Sequence, residues 1–205
     1  MTKINFVSQL ISTLLVGGLI GCGEVDDRPP ASSSEDTLVD ERDGQIYRVV
    51  TISSQVWVAE NLNYDEDGSS CYNDLPDNCA KYGRLYTFDA AKKACPGGWH
   101  LPSEDEWDLL RYNLGDADAG KKLKSEDGWE LYNGTDEYGF TALPAGYHDG
   151  SAYDLEGKYA YFWSSTEGEC PDGYIMGMTM GYKKGSAYLD CVDNRRSLSV
   201  RCIKD

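Results

Sequence analysis

Residues 94–110 read "ACPGGWHLPSEDEWDLL", in which a cysteine, a Pro-Gly-Gly turn, an aromatic segment and a helix start follow one another without spare residues. Ser103 followed by Glu106 is the pattern of a capping box, which predicts that a helix begins there. Apolar residues then recur at helical spacing and should face a core: Trp107, Leu110 and Leu114. Acidic residues are favourable at a helix N-terminus, so "SEDEW" indicates capping rather than a catalytic carboxylate pair.

The flanking residues extend this junction. Residues 82–95, "YGRLYTFDAAKKAC", predict a strand and then a short alanine-rich helix that the Pro-Gly-Gly turn ends. Residues 43–64 alternate apolar and polar residues around Ser53-Ser54, which predicts a β-hairpin. The second half contains short strand-like segments rich in Gly and Tyr. Together these features predict one α+β domain with two short helices, short mixed or antiparallel strands and a long irregular loop region.

The N-terminus has the features of a bacterial lipoprotein leader. Lys3 precedes an apolar run, residues 10–20, that is too short to cross a membrane, which predicts a signal peptide over residues 1–21. The segment "LIGC" resembles a lipobox, so we expect Cys22 to carry the acyl anchor. Gly23 replaces the aspartate that would retain a lipoprotein at the inner membrane. The acidic residues Glu24, Asp26 and Asp27 resemble the export tags of surface lipoproteins. We therefore expect a protein anchored to the outer membrane by lipid alone, at the cell surface.

Charge and composition separate a linker from the folded part. Residues 22–42 contain seven acids against two arginines, a Pro pair and a Ser triplet, which predicts a disordered spacer. Residues 43–205 remain as one domain with room for a substantial core. The net charge of the chain is -16, with 19 Lys and Arg against 35 Asp and Glu. Nucleic-acid binding is disfavoured because phosphate contacts need a basic field.

The cysteines indicate a disulfide framework. Besides Cys22 the chain has six, an even number in an oxidising compartment, which predicts three disulfides among fifteen possible pairings. The short Asn/Asp/Pro turn in "CYNDLPDNC" favours a local bridge between Cys71 and Cys79. A zinc site is the competing interpretation, but the chain has no Cys-x-x-Cys and only two histidines, His100 and His148. We expect neither a metal nor another cofactor.

Five segments carry a family resemblance: "QVWVAENLNY", "CPGGWHLPSEDEW", "YGFTALPAGY", "YFWSSTE" and "SVRCIKD". In this order and spacing, residues 43–205 resemble the Fibrobacter succinogenes major paralogous domain, found in lipoproteins and surface proteins of fibrobacteria and Bacteroidetes. That family is similar in turn to C-type-lectin-like folds, including the formylglycine-generating enzymes. The resemblance implies a nested disulfide pairing, Cys95 with Cys202 and Cys170 with Cys191. The chain lacks the Glu-Pro-Asn, Gln-Pro-Asp and Trp-Asn-Asp motifs of calcium-dependent lectins, so calcium-dependent sugar binding is not implied.

Binding fits the residues better than catalysis does. His100 lies in the apolar "WHLP" segment, as expected of a hydrogen-bonded core histidine, and Ser164-Ser165-Thr166 lacks a nucleophile-elbow pattern. Tyrosines and polar residues of Gly-rich segments, with a histidine beside a loop, could stack on sugars and hydrogen-bond to them. These candidate ligand-binding residues are Tyr174, Tyr182, Tyr188, Asp190, Asp193, Asn194 and His148. The competing interpretation assigns some of these tyrosines, and nearly all of "YAYFW", to the core.

The sequence therefore predicts a cell-surface lipoprotein with a non-catalytic recognition domain. Its expected ligand is an extracellular polysaccharide or else a surface protein. The alternative is a docking or structural role in an envelope assembly, which predicts an exposed apolar patch. An enzyme is the third possibility, and it would depend on His148.

Overall fold

The computed structural model describes residues 36–205. Four short α-helices lie in this part of the chain: α1 (Pro76–Tyr82), α2 (Phe88–Ala94), α3 (Glu104–Leu114) and α4 (Ala119–Leu123). A 3-10 turn at Tyr72–Asp74 precedes α1. The strands are β1 (Thr37–Val39), β2 (Ile46–Ile52), β3 (Gln55–Val58), β4 (Ser69–Ser70), β5 (Leu85–Thr87), β6 (Trp99–His100), β7 (Tyr147–His148), β8 (Tyr153–Asp154), β9 (Tyr159–Trp163), β10 (Tyr174–Gly181), β11 (Ala187–Asp193), β12 (Ser197–Leu198) and β13 (Ile203–Lys204).

The strands form three antiparallel sheets. Two sheets have five strands, in the orders β1-β2-β3-β13-β6 and β4-β5-β12-β7-β8, and the third has the order β11-β10-β9. The predicted hairpin is β2 and β3, joined at Ser53-Ser54. The C-terminal strand β13 lies between β3 and β6, so it closes the first sheet over the junction at residues 94–110. The α+β class is therefore confirmed.

The junction has the predicted helix start. The Ser103 hydroxyl accepts from the backbone N–H of Glu106, and the Glu106 carboxylate accepts from the backbone N–H of Ser103 at 2.7 Å. The Trp107 ring then packs 4.7 Å from Trp57 and 5.7 Å from Phe162, measured between ring centroids. The capping box thus directs the first turn of α3 into an aromatic core.

A buried arginine joins three segments of the chain, and we call its contacts the Arg201 network. Arg201 is fully buried, and its Nε donates to Oδ1 of Asn61 at 2.8 Å. Its two terminal nitrogens donate to the backbone carbonyls of Val58, Phe140 and Thr141. Since a buried charge needs hydrogen-bond partners, the network fixes "QVWVAENLNY", "YGFTALPAGY" and "SVRCIKD" against one another.

The three disulfides have the pairings given by the sequence and the resemblance: Cys71–Cys79, Cys95–Cys202 and Cys170–Cys191. Cys71–Cys79 connects the 3-10 turn to α1. Cys95–Cys202, with a sequence separation of 107, ties the end of α2 to the segment before β13. Cys170–Cys191 ties the loop before β10 to β11. Each bridge therefore fixes at least one segment that lies outside the helices and strands.

Two expectations differ from the structure. The sequence predicted two helices, which correspond to α2 and α3, but α1 and α4 are also present. Residues 37–39 were assigned to the linker, yet they form β1 and pair with β2. Arg42, also in that segment, donates to the buried Asp40 carboxylate and to the Ala94 carbonyl. The ordered domain thus begins before residue 43, because these contacts bind residues 37–42 to it.

The signal peptide, Cys22 and residues 22–35 of the predicted linker lie outside the described residues. Within residues 36–205, no helix has the length and apolar character needed to cross a membrane.

Candidate functional site

The outward face of the β9-β10-β11 sheet carries a row of tyrosines. The antiparallel register places Tyr161 and Tyr188 directly opposite Thr179, which lies between them on β10. Directly opposite residues share a face of a sheet, so the three side chains form one row. Because strands are spaced about 4.8 Å apart, the two tyrosines stand about 10 Å apart across the smaller threonine.

Neighbouring rings extend this row into one surface. The ring centroids of Tyr159 and Tyr161 are 5.5 Å apart with nearly parallel planes. Tyr147 meets Tyr161 edge-on at 5.7 Å, and Tyr182 meets Tyr159 edge-on at 5.9 Å. We call the surface of these five residues the tyrosine platform: Tyr147, Tyr159, Tyr161, Tyr182 and Tyr188.

The platform occupies only part of the outward face. Farther along the same face, Trp163, Ile175 and Val192 are buried in a cluster that includes the apolar side of α2. On the inward face, Phe162 and Met178 pack into the other core cluster with α3. The inward face of the sheet is thus packed in the core, and half of its outward face is covered by the α2 cluster. Its remaining outward half presents partly exposed tyrosines on a rigid support.

Small residues of β10 lie between the rings. A Cβ atom on Gly181 would come within 3.1 Å of Cε1 of Tyr159, so a side chain there would displace that ring. Thr179 is 2% exposed, and its Oγ1 has no hydrogen-bond partner among the protein groups. An unpaired buried hydroxyl lowers stability, so Thr179 is an unfavourable residue at this position of the sheet.

Charged groups border the platform. The Arg196 guanidinium lies 4.1 Å from the centroid of the Tyr147 ring, and the Lys183 amino group lies 5.1 Å from that of Tyr182. Burial raises the pKa of the Tyr188 hydroxyl, and nearby Tyr159 and Asp190 raise it further. Tyr188 is therefore a neutral hydrogen-bond donor at ordinary pH, beside a carboxylate that can accept.

Three of the predicted ligand-binding residues lie at this surface. Tyr182 and Tyr188 belong to the platform, and Asp190 follows on the same face of β11 as Tyr188. The prediction that Tyr174 and Tyr188 lie in loops is wrong, because they belong to β10 and β11.

The other predicted residues lie elsewhere. Tyr174 pairs with Asp193 at the far end of the hairpin, and Asn194 donates its backbone N–H to the Gly173 carbonyl there. Hydrogen bonds from Arg195 lower the pKa of Asp193 to about 2. Asp193 is therefore already engaged in an ion pair with Arg195.

Neither histidine belongs to the platform. His148 is the last residue of β7 and lies beside the loop of residues 149–152, as predicted, and its ring packs 4.3 Å from that of Tyr153. Side chains alternate along a strand, so His148 faces away from the side on which Tyr147 joins the platform. His100 has the predicted hydrogen bonds, to Glu106 at 2.9 Å and Asp205 at 2.7 Å. It is not a core residue, however, because its side chain is 40% exposed.

Sequence reasoning missed the part of the platform contributed by Tyr147, Tyr159 and Tyr161. The competing interpretation places nearly all of "YAYFW" in the core, but only Ala160, Phe162 and Trp163 of this segment are buried. The strict alternation of tyrosine with an apolar residue over positions 159–162 could have placed Tyr159 and Tyr161 on one face of a strand. It could not have shown that this face is open, and no such pattern marks Tyr147.

Two further observations concern metal ligands and the serine that follows Trp163. Within residues 36–205, no group of three His, Cys, Asp or Glu side chains is arranged to hold a metal ion. Ser164 is fully buried, and its hydroxyl accepts from the backbone N–H of Thr166. The strongest grouping of exposed chemistry on this sheet is thus aromatic and hydrogen-bonding.

The fold and this surface define a small, disulfide-stapled α+β domain with an aromatic face. The chain belongs to the Fibrobacter succinogenes major domain family, whose model matches residues 50–204 and thus includes the whole platform. The comparison with curated proteins and the comparison with solved structures each gave no match.

Proposed function

We propose that the tyrosine platform binds extracellular polysaccharide without catalysis. The observation that carries this proposal is the row of Tyr161, Thr179 and Tyr188, with Tyr159 stacked beside it. Flat aromatic rings offer an apolar face to the C–H face of a sugar, and their hydroxyls offer polar contacts. Asp190 adds a carboxylate that accepts hydrogen bonds from sugar hydroxyls.

The setting of the platform supports binding rather than turnover. Tyr159, Tyr161 and Tyr188 lie on a sheet whose other face is packed in the core, so little conformational freedom is lost when a ligand binds. We also propose that the domain has a C-type-lectin-like fold, supported by the nested pairs Cys95–Cys202 and Cys170–Cys191. Finally, we propose that Cys22 anchors the protein in the outer membrane, with the domain at the cell surface, from the lipobox-like "LIGC" alone.

Binding is tested by titrating the full chain, with its disulfides intact, against soluble xylan and mixed-linkage glucan in calcium and in chelator. We expect saturable binding that Tyr188→Ala weakens roughly fivefold, since an aromatic contact is worth about 1 kcal/mol. The matched control is Tyr112→Ala, because Tyr112 is a 74% exposed tyrosine on α3. Thermal unfolding of both variants should stay close to that of the unmodified chain.

Two outcomes would contradict the proposal. One is the absence of binding to any glycan, which would favour the docking alternative. The other is equal loss in Tyr188→Ala and Tyr112→Ala, which would mean that the platform is not the site. Anchoring is tested separately, by incorporation of a labelled fatty acid that Cys22→Ser should abolish and by protease access to the domain on intact cells.

A further inference from the structure

A pair of lysines adjoins the tyrosine platform at one end. Lys183 and Lys184 follow Tyr182 in the turn between β10 and β11. They line a pocket of about 170 Å³ together with Tyr159, Gly181 and Tyr188. Amino groups and platform rings therefore border the same space, where one ligand could contact both.

This turn is held in place by α4 and the residue after it. Lys124 is fully buried, and its amino group donates to the carbonyls of Gly181 at 3.2 Å and Lys184 at 3.3 Å. The backbone N–H of Lys121 donates to the Gly185 carbonyl. Gly120 packs so tightly on the turn that a Cβ atom would lie 2.6 Å from the carbonyl carbon of Ser186. The backbone that carries Lys183 and Lys184 is therefore positioned in advance.

In the described part of the chain, no carboxylate contacts the amino groups at this end directly. A second pocket of about 290 Å³ is lined by both lysines of the turn and by Lys121 and Lys124, and no carboxylate lines either pocket. Among residues 36–205, Lys121, Lys183 and Lys184 form no ion pair within 4.0 Å. In a chain of net charge -16, such a cluster is exceptional.

Nearby carboxylates mark the limits of this surface. Glu130 is 3.7 Å from the Lys158 amino group. Asp118 and Glu137 line a separate depression with Lys121 and Lys122, which makes that side mixed in charge. Asp190 stands beyond Tyr188, two residues farther along β11. Glu130 also acts on Lys183 electrostatically, but within residues 36–205 neither Lys183 nor Lys184 has a direct ion-pair partner, so positive charge is concentrated at these two residues.

We propose that the polysaccharide is acidic, and that Lys183 and Lys184 bind an anionic group of one sugar while its neighbour stacks on Tyr188. This inference rests on the proposed function of the platform. The recognised chemistry is a carboxylate or sulfate carried on a sugar ring. Asp190 would then face a neutral part of the chain, where its carboxylate accepts from hydroxyls instead of repelling a like charge.

The test compares polymers that differ only in charge. The full chain is titrated against polygalacturonate and its methyl ester, and against dextran sulfate and dextran, at about 0.15 M salt. At this ionic strength the Debye length is about 8 Å, so the overall negative charge is screened more than direct contacts are. We expect at least one acidic polymer to bind roughly tenfold more tightly than its neutral partner. The acidic polymer that binds identifies carboxylate or sulfate as the recognised group.

Variants separate this inference from the proposed function. Lys183→Gln with Lys184→Gln should bring the acidic polymer down to the affinity of the neutral one. The control, Lys93→Gln with Lys204→Gln, changes the net charge equally at exposed residues outside both pockets. Equal binding of acidic and neutral polymers would overturn the inference and leave the platform intact as a neutral-sugar site. Acidic binding unaffected by Tyr188→Ala would instead overturn the proposed function, and binding to no polymer would overturn both.

Discussion

The Arg201 network contains one buried polar side chain, and another, that of Thr179, lies between two rings of the tyrosine platform. The protein surrounds the two differently. Every nitrogen of the Arg201 guanidinium donates to a protein acceptor, and two other chain segments supply those acceptors. Thr179 is almost as buried, yet its hydroxyl has no protein partner. Satisfied polar groups fix a structure, whereas unsatisfied ones reduce its stability. The comparison separates a region in which the protein satisfies a buried polar group from one in which it leaves such a group unpaired.

The largest effect is expected at the bridge that closes the Arg201 side of the domain. Replacing Cys95 and Cys202 together by Ala should lower the free energy of unfolding by about 4 to 5 kcal/mol, from the loop entropy of a long closure. The Cys71–Cys79 bridge closes a separation of only 8 residues, and its double alanine variant should lose about 2 to 3 kcal/mol. Urea unfolding measures both. Equal losses would mean that loop length does not set the contribution.

Removing the central guanidinium comes next. Arg201→Met should lower the free energy of unfolding by about 3 kcal/mol, because several buried carbonyl and amide oxygens lose their hydrogen-bond donor. This loss should exceed the gain from no longer burying a charged group. Arg48→Met is the matched control, since Arg48 is 42% exposed and pairs with Glu60 at the surface. Its change should stay below about 1 kcal/mol. An Arg201→Met protein as stable as the unmodified chain would show that the Arg201 network does not stabilise the fold.

Removing the Thr179 hydroxyl should have the opposite effect and raise the stability. Thr179→Val keeps the shape of the side chain and removes the unpaired hydroxyl, so it should raise the free energy of unfolding by about 1 kcal/mol. Thr51→Val, at an exposed position of β2, should change stability by less than about 0.5 kcal/mol. Thermal unfolding compares the two. A clearly destabilised Thr179→Val protein would show that the hydroxyl is satisfied in the folded protein.

The smallest effect is expected at His100, on the first sheet. Burial lowers the pKa of His100, but hydrogen bonds to Asp205 and Glu106 outweigh this, and the pKa lies above its ordinary value. A raised pKa means that the folded state binds the proton more tightly than the unfolded state does. The stabilisation is therefore complete below pH of about 6.5 and is lost as the pH rises through the folded pKa.

The variant His100→Gln tests this pH dependence. Unfolding temperatures are measured from pH 5 to pH 9. The unmodified chain should unfold at a higher temperature than His100→Gln at pH 5, and the two unfolding temperatures should become equal towards pH 9. Because the His100 side chain is 40% exposed, solvent screening should keep the difference below about 1 kcal/mol. A difference that does not vary with pH would show that the imidazole acts through packing alone.

Helix prediction from the sequence succeeded where a local signal exists. α3 follows a capping box, and α2 follows Thr87, whose hydroxyl accepts from the backbone N–H of Ala90. α1 and α4 lack a side-chain cap hydrogen bond, and α4 contains Gly120. Both helices are short, which makes a local sequence pattern weak. α1 nevertheless has start and stop signals that the prediction missed, namely Pro76 at its first position, Asp77 in its first turn and Gly83 as its C-cap.

The candidate site could be predicted only in part. Tyr182, Tyr188 and Asp190 were identified from their composition and their position near glycines, but Tyr174, Asp193 and His148 lie away from the platform. Aromatic residues at alternate positions of a strand give the same sequence pattern whether that face of the sheet is buried or exposed. On the outward face here, Trp163 is covered by the α2 cluster whereas Tyr161 is partly exposed two residues earlier.

The sequence by itself determined the α+β class, the hairpin, the capped helix and the Cys71–Cys79 bridge, because each depends on residues close together in the chain. With the family resemblance it also indicated the two long-range bridges. The tertiary structure alone decided that three distant segments meet at Arg201, and that five tyrosines from two sheets form one surface beside Lys183 and Lys184. Those arrangements depend on strand register and on where core packing ends, and both are properties of the assembled fold.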